Sequence, residues 1–338
     1  MKKTRWGIVG TGFISGHFAQ GLKMLDDAVI QCVASRSIEK AEKFAKTHGA
    51  VRAYGSYEAM LDAKDIDVVY IATPHTLHLR DVIMFLEAGF NVLCEKPMGV
   101  NAFEAEQMIA AARRNNAFLM EGMWTRFFPA MRQAIRWVRE GRIGQVRMIR
   151  AGMGFDGSGD RTQWRFKNEH AGGALLDVGI YPLALTFHIL GTDPAIITGA
   201  CNLINGIDEY NAFILKYAEG QLALLCSGIA MKTDKKALIE GEKGRVIIHE
   251  EFWRPTKAEL VLAGDDPLTF TGESTVFEEK YDSTGFQFEA RAVQECLKKG
   301  LAESPDMPLE ETLKIVQAMD ALRELWHLHY PSDNLKQN

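Results

Sequence analysis

The stretch Trp6-Gly7-Ile8-Val9-Gly10-Thr11-Gly12-Phe13-Ile14-Ser15-Gly16 decides the fold. A short apolar run ends in G-x-G-x-x-S, and Ile14, Phe18, Leu22 and Leu25 then recur at helical spacing. Gly10 permits a tight turn, and Gly12 lets the backbone approach a pyrophosphate. The helix N-terminus beyond them offers N–H donors and the positive end of its dipole. Ser15 stands where the dinucleotide fingerprint has its third glycine. A glycine pair of this kind also occurs in plain strand–helix turns, but here it heads the first β-α unit, the context that points to a nucleotide. Gly10, Thr11, Gly12, Phe13 and Ile14 are therefore candidate cofactor contacts.

The same alternation continues downstream. The pattern predicts strands at 29–34, 67–72 and 90–94, with helices over 39–47, from His78 through Leu86 to a stop at Gly89, and from an Asn101/Glu104 capping box to about Asn115. Repeated β-α-β order implies an α/β Rossmann-type domain with a doubly wound parallel sheet over residues 1–122. After Gly122 the pattern changes. Helices at 129–140 and 173–190 and strands at 145–151, 195–203, 210–217, 222–227, 237–240 and 246–249 suggest an α+β domain. That domain, residues 123–338, would hold a large, mostly antiparallel open sheet and end in helices at 286–299 and 309–326.

In Tyr210–Tyr217 both faces are apolar: Phe213, Leu215 and Tyr217 on one, Tyr210, Ala212 and Ile214 on the other. A sheet covered on one side alternates apolar with polar. Either a second subunit covers the outer face, giving a homodimer or a higher assembly, or helices cross both sides.

Composition narrows the classes. With 338 residues, 47% of them hydrophobic and 25% charged, the chain can bury large cores without staples. Its 39 basic and 44 acidic side chains give −5, which offers no footprint for nucleic acid or for a polybasic membrane contact. Cys32, Cys94, Cys201, Cys226 and Cys296 are odd in number and dispersed, with no C-x-x-C pair, so neither a zinc site nor a disulfide framework is expected. His75 and His78 lie three apart and His170 is near Asp177, but no compact ligand set emerges and no metal is expected. Glycines at 7 and 10 leave no signal-peptide core, and Pro182, Gly191 and Pro194 interrupt the longest weakly charged stretch. A cytoplasmic protein with no membrane span is the expectation.

The second strand bears on the cofactor. An NAD site usually carries Asp or Glu about 20 residues beyond the glycines. Here the chain reads Ala34-Ser35-Arg36-Ser37, an arginine flanked by hydroxyls that suits a 2′-phosphate, so NADP is favoured over NAD without excluding it. At the expected carboxyl ends of later strands stand Thr73-Pro74-His75-Thr76-Leu77-His78 and Glu95-Lys96-Pro97. Ligands of open α/β sheets lie at those ends, which makes Thr73, Pro74, His75, His78, Glu95 and Lys96 candidates as well.

A third cluster is Gly172-Gly173-Ala174-Leu175-Leu176-Asp177-Val178-Gly179-Ile180-Tyr181. Asp177 and Tyr181 are four apart, so a helix presents both on one face. A carboxylate within so apolar a helix needs a partner, for which Lys96 is the candidate. A tyrosine near a lysine ammonium has a lowered pKa and can shuttle a hydroxyl proton. The plainer alternatives are a helix cap for Asp177 and a core aromatic for Tyr181.

The glycine turn, Glu95-Lys96-Pro97 and the G-G-A-L-L-D-V-G-I-Y segment, in this order, resemble the Gfo/Idh/MocA oxidoreductases over nearly the whole chain. Within that family, Met120-Glu121-Gly122-Met123-Trp124-Thr125-Arg126-Phe127-Phe128-Pro129 resembles the branch of dimeric dihydrodiol dehydrogenases and NADP-dependent D-xylose dehydrogenases. The resemblance implies a Rossmann domain, dimerisation through the C-terminal open sheet, and Lys96, Asp177 and Tyr181 at the reacting centre. Many relatives have histidine where this chain has Tyr181, a departure that fits the dihydrodiol and glucose–fructose branches and speaks against an inositol-dehydrogenase type. Trp124, Arg126, Phe127, Phe155 and Trp164 are candidates to line a substrate pocket, although aromatics are more often core. The expected reaction is hydride transfer between a nicotinamide and a hydroxyl-bearing carbon of a sugar, cyclic polyol or vicinal diol. A nucleotide-sensing regulator without turnover and a redox-assisted glycoside cleavage remain as alternatives.

Overall fold

Residues Thr4–Val9 run extended because Trp6, Ile8 and Val9 are buried on both faces of the strand, as a central parallel strand requires. The computed structural model describes residues 3–333. Strands β1 (Thr4–Val9), β2 (Ala28–Ala34), β3 (Arg52–Tyr54), β4 (Val68–Ile71), β5 (Val92–Glu95) and β6 (Leu119–Gly122) form one parallel sheet in the order β3-β2-β1-β4-β5-β6. This is the doubly wound dinucleotide-binding order, and its switch point lies between β1 and β4. Helices α1 (Phe13–Leu22), α2 (Ile38–His48), α3 (His78–Glu87) and α4 (Ala102–Arg114) make the crossovers. Local chemistry sets their ends: Ser37 caps α2, which closes at Gly49 with φ +77°, and Asn101 caps α4 by accepting from the Glu104 N–H at 3.0 Å.

The second unit begins with α5 (Pro129–Arg139), which has proline at its start, and includes α6 (Ile180–Leu190). Its sheet comprises β7 (Val146–Gly154), β8 (Ile196–Ile204), β9 (Ile207–Lys216), β10 (Leu222–Gly228), β11 (Ala237–Gly241), β12 (Gly244–Ile248), β13 (Lys257–Leu262) and β14 (Ser274–Glu278). The strand order is β14-β13-β12-β11-β7-β10-β9-β8, antiparallel except for the β7/β10 pair. Helices α5 and α6 pack on one face. Phe213, Leu215 and Tyr217 point into that core, whereas Ile196, Tyr210, Ile214 and Leu224 are exposed on the other side. The reading with helices on both sides is therefore overturned: the outer face is open in the single chain.

Helices α7 (Phe286–Lys298) and α8 (Leu309–Leu325) complete the chain. By packing, the residues up to Trp124 group with Asp282–Leu313, and Thr125–Tyr281 groups with the residues from Lys314 onward. The linear division at 122/123 lies within two residues of the first break, but α7 belongs with the parallel sheet. Its Phe286 meets Phe18 of α1 edge-on, with ring centroids 6.0 Å apart.

The stretch Asn168–Leu190 is long and apolar enough to cross a membrane by length and composition alone. Some 78% of its apolar window is buried within the protein, the setting of a core helix.

Candidate active site

The turn after β1 is shaped by two glycines with different tasks. Gly10 has φ +99°, and a Cβ there would stand 2.8 Å from the Ala72 carbonyl oxygen, so the turn presses against the end of β4. Gly12 is extended and precedes α1 without a side-chain cap, and a Cβ on it would meet nothing within 4 Å. The first N–H groups of α1 thus open onto free space with no side chain in the way. Phe13 is 77% exposed and packs at a tilt against His17, ring centroids 4.1 Å apart, while Ile14 is also exposed. Ser15 is buried, and its Oγ has no hydrogen-bond partner among the described residues. These features fit a dinucleotide: uncapped N–H donors, a dipole end and an unobstructed approach.

Beside this turn, the Thr11 hydroxyl donates to Ser35 Oγ at 3.3 Å. Arg36 is exposed and has no salt bridge among the described residues, which leaves its guanidinium open to an anion. The two hydroxyls flanking Arg36 are not equivalent. Ser37 accepts from the Lys40 N–H at 3.3 Å and donates to Glu39 at 2.6 Å, so its hydroxyl serves the start of α2.

Beyond β4, the Thr73 hydroxyl donates to the buried Asp81 carboxylate at 2.8 Å. The buried His78 ring faces two carbonyls, Pro97 O at 3.0 Å and Thr73 O at 2.9 Å. Burial lowers its pKa against the pull of those carbonyls. Both side chains are expected cofactor contacts; within the chain, His78 ties the end of β4 to the turn at Lys96-Pro97, and the Thr73 hydroxyl ties it to α3. Pro74 precedes a short helical turn, His75–Leu77, in which His75 is buried.

Glu95-Lys96-Pro97 follows β5 directly. Glu95 accepts from the Tyr70 hydroxyl and from the Lys96 N–H. Burial raises its pKa, opposed by Tyr70 and by the Lys96 ammonium. Sequence reasoning missed a second carboxyl here. Glu289 of α7 is fully buried, with no hydrogen-bond partner on either oxygen among the described residues. A Cβ at Gly122 would stand 3.5 Å from Glu95 Cα and 3.7 Å from Glu289 Oε2, which places both acids at the end of β6. Burial first, and then the charge of Glu95, push Glu289 well above the usual carboxyl range. The available signal was a glutamate on the apolar face of Phe286, Ala290 and Val293.

In the second unit, the predicted helix at 173–190 begins as a π-helical turn, Leu175–Gly179, and continues as α6. Such turns often mark functional sites. Asp177 lies in this turn, and Tyr181 is buried in the next. Asp177 Oδ2 is 3.8 Å from Arg165 Nε. The Arg165 guanidinium also sits over the Phe155 ring at 4.9 Å and the Trp164 ring at 5.7 Å. Three predicted residues, Phe155, Trp164 and Asp177, are therefore gathered by an arginine that the sequence did not single out. Phe127 is instead core, 2% exposed with Arg132 over its ring at 5.7 Å. Arg126 is buried and reaches Ala184 O at 3.3 Å. Trp124 lies in the first unit, stacked on Phe286 at 4.5 Å.

Residues 4–123 match the family described as an oxidoreductase family with an NAD-binding Rossmann fold, and residues 131–247 match the GFO/IDH/MocA C-terminal domain. A trans-1,2-dihydrobenzene-1,2-diol dehydrogenase from Danio rerio is 37% identical over 335 residues, covering 98% of this chain and 99% of that one. The chain belongs to the Gfo/Idh/MocA oxidoreductase family. Two solved structures share its architecture. A 3-ketoreductase from Actinomadura kijaniata, in complex with NADP and TDP-benzene, has a TM-score of 0.82 and 25% identity, covering 96% of this chain and 98% of that one. A levoglucosan dehydrogenase in complex with NADH and levoglucosan has a TM-score of 0.86 at 20% identity, covering 96% and 97%. As a Gfo/Idh/MocA protein, the chain is a dehydrogenase whose first unit is an NAD(P)-binding Rossmann domain.

Proposed function

We propose that this dehydrogenase transfers a hydride between a nicotinamide cofactor and a hydroxyl-bearing carbon of a sugar, cyclic polyol or vicinal diol. The observation that carries this reading is the 37% identity, across 98% of the chain, to a dehydrogenase named for a dihydrodiol. When bound, the nicotinamide supplies the hydride chemistry. Gly10, Thr11, Gly12 and the start of α1 would hold the pyrophosphate, with Phe13 and Ile14 at the edge of the turn. Ser35 and Arg36 would hold a ribose 2′-phosphate, which makes NADP the preferred form.

The proton side belongs to Lys96, Asp177 and Tyr181. Tyr181 takes the substrate hydroxyl proton, a role that a lysine ammonium favours by stabilising the ionised tyrosine, the part that the family resemblance gives to Lys96. Asp177, steadied by Arg165, accepts from a second substrate hydroxyl, and Phe155 and Trp164 offer ring faces to the carbon skeleton. Five unpaired cysteines accord with a reducing, cytoplasmic setting. The exposed apolar face at Ile196, Tyr210, Ile214 and Leu224 supports pairing of two chains through the open sheet. A monomeric mass by light scattering at micromolar concentration would refute that pairing.

The test is turnover against a panel of diols and sugars with stoichiometric NADP, followed by absorbance of reduced nicotinamide. Accumulation of NADPH is expected. Glycoside cleavage without it would favour the redox-assisted reading, and no reaction across the panel would favour a sensor. Lys96→Met should abolish turnover while leaving NADP binding largely intact; near-normal turnover would defeat the assignment.

A further inference from the structure

We propose that Asp208 is a positioning residue for proton transfer: its buried carboxylate fixes the start of the helical segment that carries Asp177 and Tyr181. The inference rests on the catalytic reading above. Asp208 lies on β9 and is fully buried. Its Oδ2 accepts from the Leu175 N–H at 2.8 Å and from the Asn211 amide at 2.6 Å. Leu175 opens the π-helical turn, whose preceding residue, Ala174, supplies no side-chain cap. The cap is thus provided from a neighbouring strand, and a carboxylate suits the positive end of the helix.

The surroundings are built to keep it there. Ser227 of β10 donates to Asn211 Oδ1 at 2.9 Å, which orients the amide towards Asp208. Gly173 has φ +126°, and a Cβ on it would fall 2.1 Å from Asp208 Oδ1, so only glycine lets the chain pass so close to the acid. That second oxygen has no hydrogen-bond partner among the described residues. Burial pushes the carboxyl up to about 7, against the opposing pull of Asn211, the Leu175 N–H and Arg323. A fully buried acid with one orphaned oxygen costs stability, and an apolar side chain would fill the space more cheaply. What the acid adds is a fixed direction for the helix start, from which Asp177 and Tyr181 follow within two turns.

Three variants test this, read by steady-state kinetics with the best substrate of the panel, by NADPH affinity from fluorescence, and by deuterium uptake over residues 173–181. Asp208→Ala should lower kcat at least tenfold and speed uptake in that segment, while the Kd for NADPH stays within twofold. Asp208→Asn retains an acceptor oxygen and should restore kcat to within threefold of wild type. Wild-type kcat and uptake in Asp208→Ala, or an Asn variant as impaired as Ala, would overturn the proposal. Should Asp208→Ala fail to fold, Ser227→Ala loosens the same chain one step away. It should lower kcat two- to fivefold at constant NADPH affinity, and an unchanged kcat would count against the inference. Tyr181→Phe run in parallel separates the two readings. Full turnover in that variant defeats the catalytic assignment, while uptake over 173–181 in Asp208→Ala still judges the positioning role.

Discussion

Arg165 Nε stands 3.8 Å from Asp177 Oδ2 while its guanidinium covers the Phe155 and Trp164 rings. One side chain therefore fixes both the acid and the aromatic faces proposed to receive substrate. Both groups are partly exposed, so the ion pair itself is weak and its value is orientation. Arg165→Met should lower kcat/KM about tenfold, about 1.4 kcal/mol, with the larger share in KM. Kinetics across the substrate panel decide it, and an unchanged KM would remove Arg165 from the site.

Arg36 and Ser37 are neighbours with separable roles. Arg36→Ala should raise the KM for NADP on the order of tenfold or more while leaving that for NAD within twofold, because only the 2′-phosphate needs the guanidinium. Ser37→Ala removes the cap of α2 and should cost about 1 kcal/mol of stability without moving either KM. Equal loss for both cofactors in the arginine variant would assign the residue to general binding.

Phe127 separates core from pocket. Its ring is buried, so Phe127→Ala should destabilise the protein by about 3–5 kcal/mol. Urea unfolding measures this loss. A stable variant with a raised substrate KM would return Phe127 to the pocket.

Glu289 predicts a pH dependence with a definite sign. Its folded-state pKa is raised by burial and by Glu95, so the folded chain binds a proton that the unfolded chain releases near about 4.3. The associated stability is fully present below that value and is lost as pH rises through the folded-state value. Unfolding midpoints should therefore fall between pH 5 and pH 8 in the wild type and fall less in Glu289→Gln. Parallel slopes for the two proteins would contradict the buried proton.

What the sequence made legible follows from distance along the chain. The Gly10–Ile14 turn, the Ser35-Arg36 pair and Glu95-Lys96-Pro97 are local signals, each complete within a few residues and placed by the strand before it. Asp177 and Tyr181 were legible because one helical repeat relates them. Arg165, Asp208 and Glu289 were not, because each acquires its role from partners on other elements, and nothing local distinguishes them from ordinary charged residues. The same logic governs the strands. β3 has three residues and β6 four, too few for an alternation to show, and β14 is an exposed edge strand. The carbonyl partners of His78 and the carboxylate partner of the Thr73 hydroxyl were likewise beyond the reach of local sequence.

The packing of α7 on α1 also fixes an order of events during synthesis. A Cβ at Gly21 would lie 2.8 Å from both Phe286 Cβ and the Gln287 nitrogen, so one flank of α1 is moulded to a segment that leaves the ribosome long after it. Thr125–Tyr281 must be translated in between. A fragment ending at Trp124 would carry all six parallel strands yet expose Phe18 and the small-residue flank of α1 to water. The nucleotide-binding unit is thus closed by a segment that follows the whole of Thr125–Tyr281 in the chain, a non-local contact of the kind that slows folding.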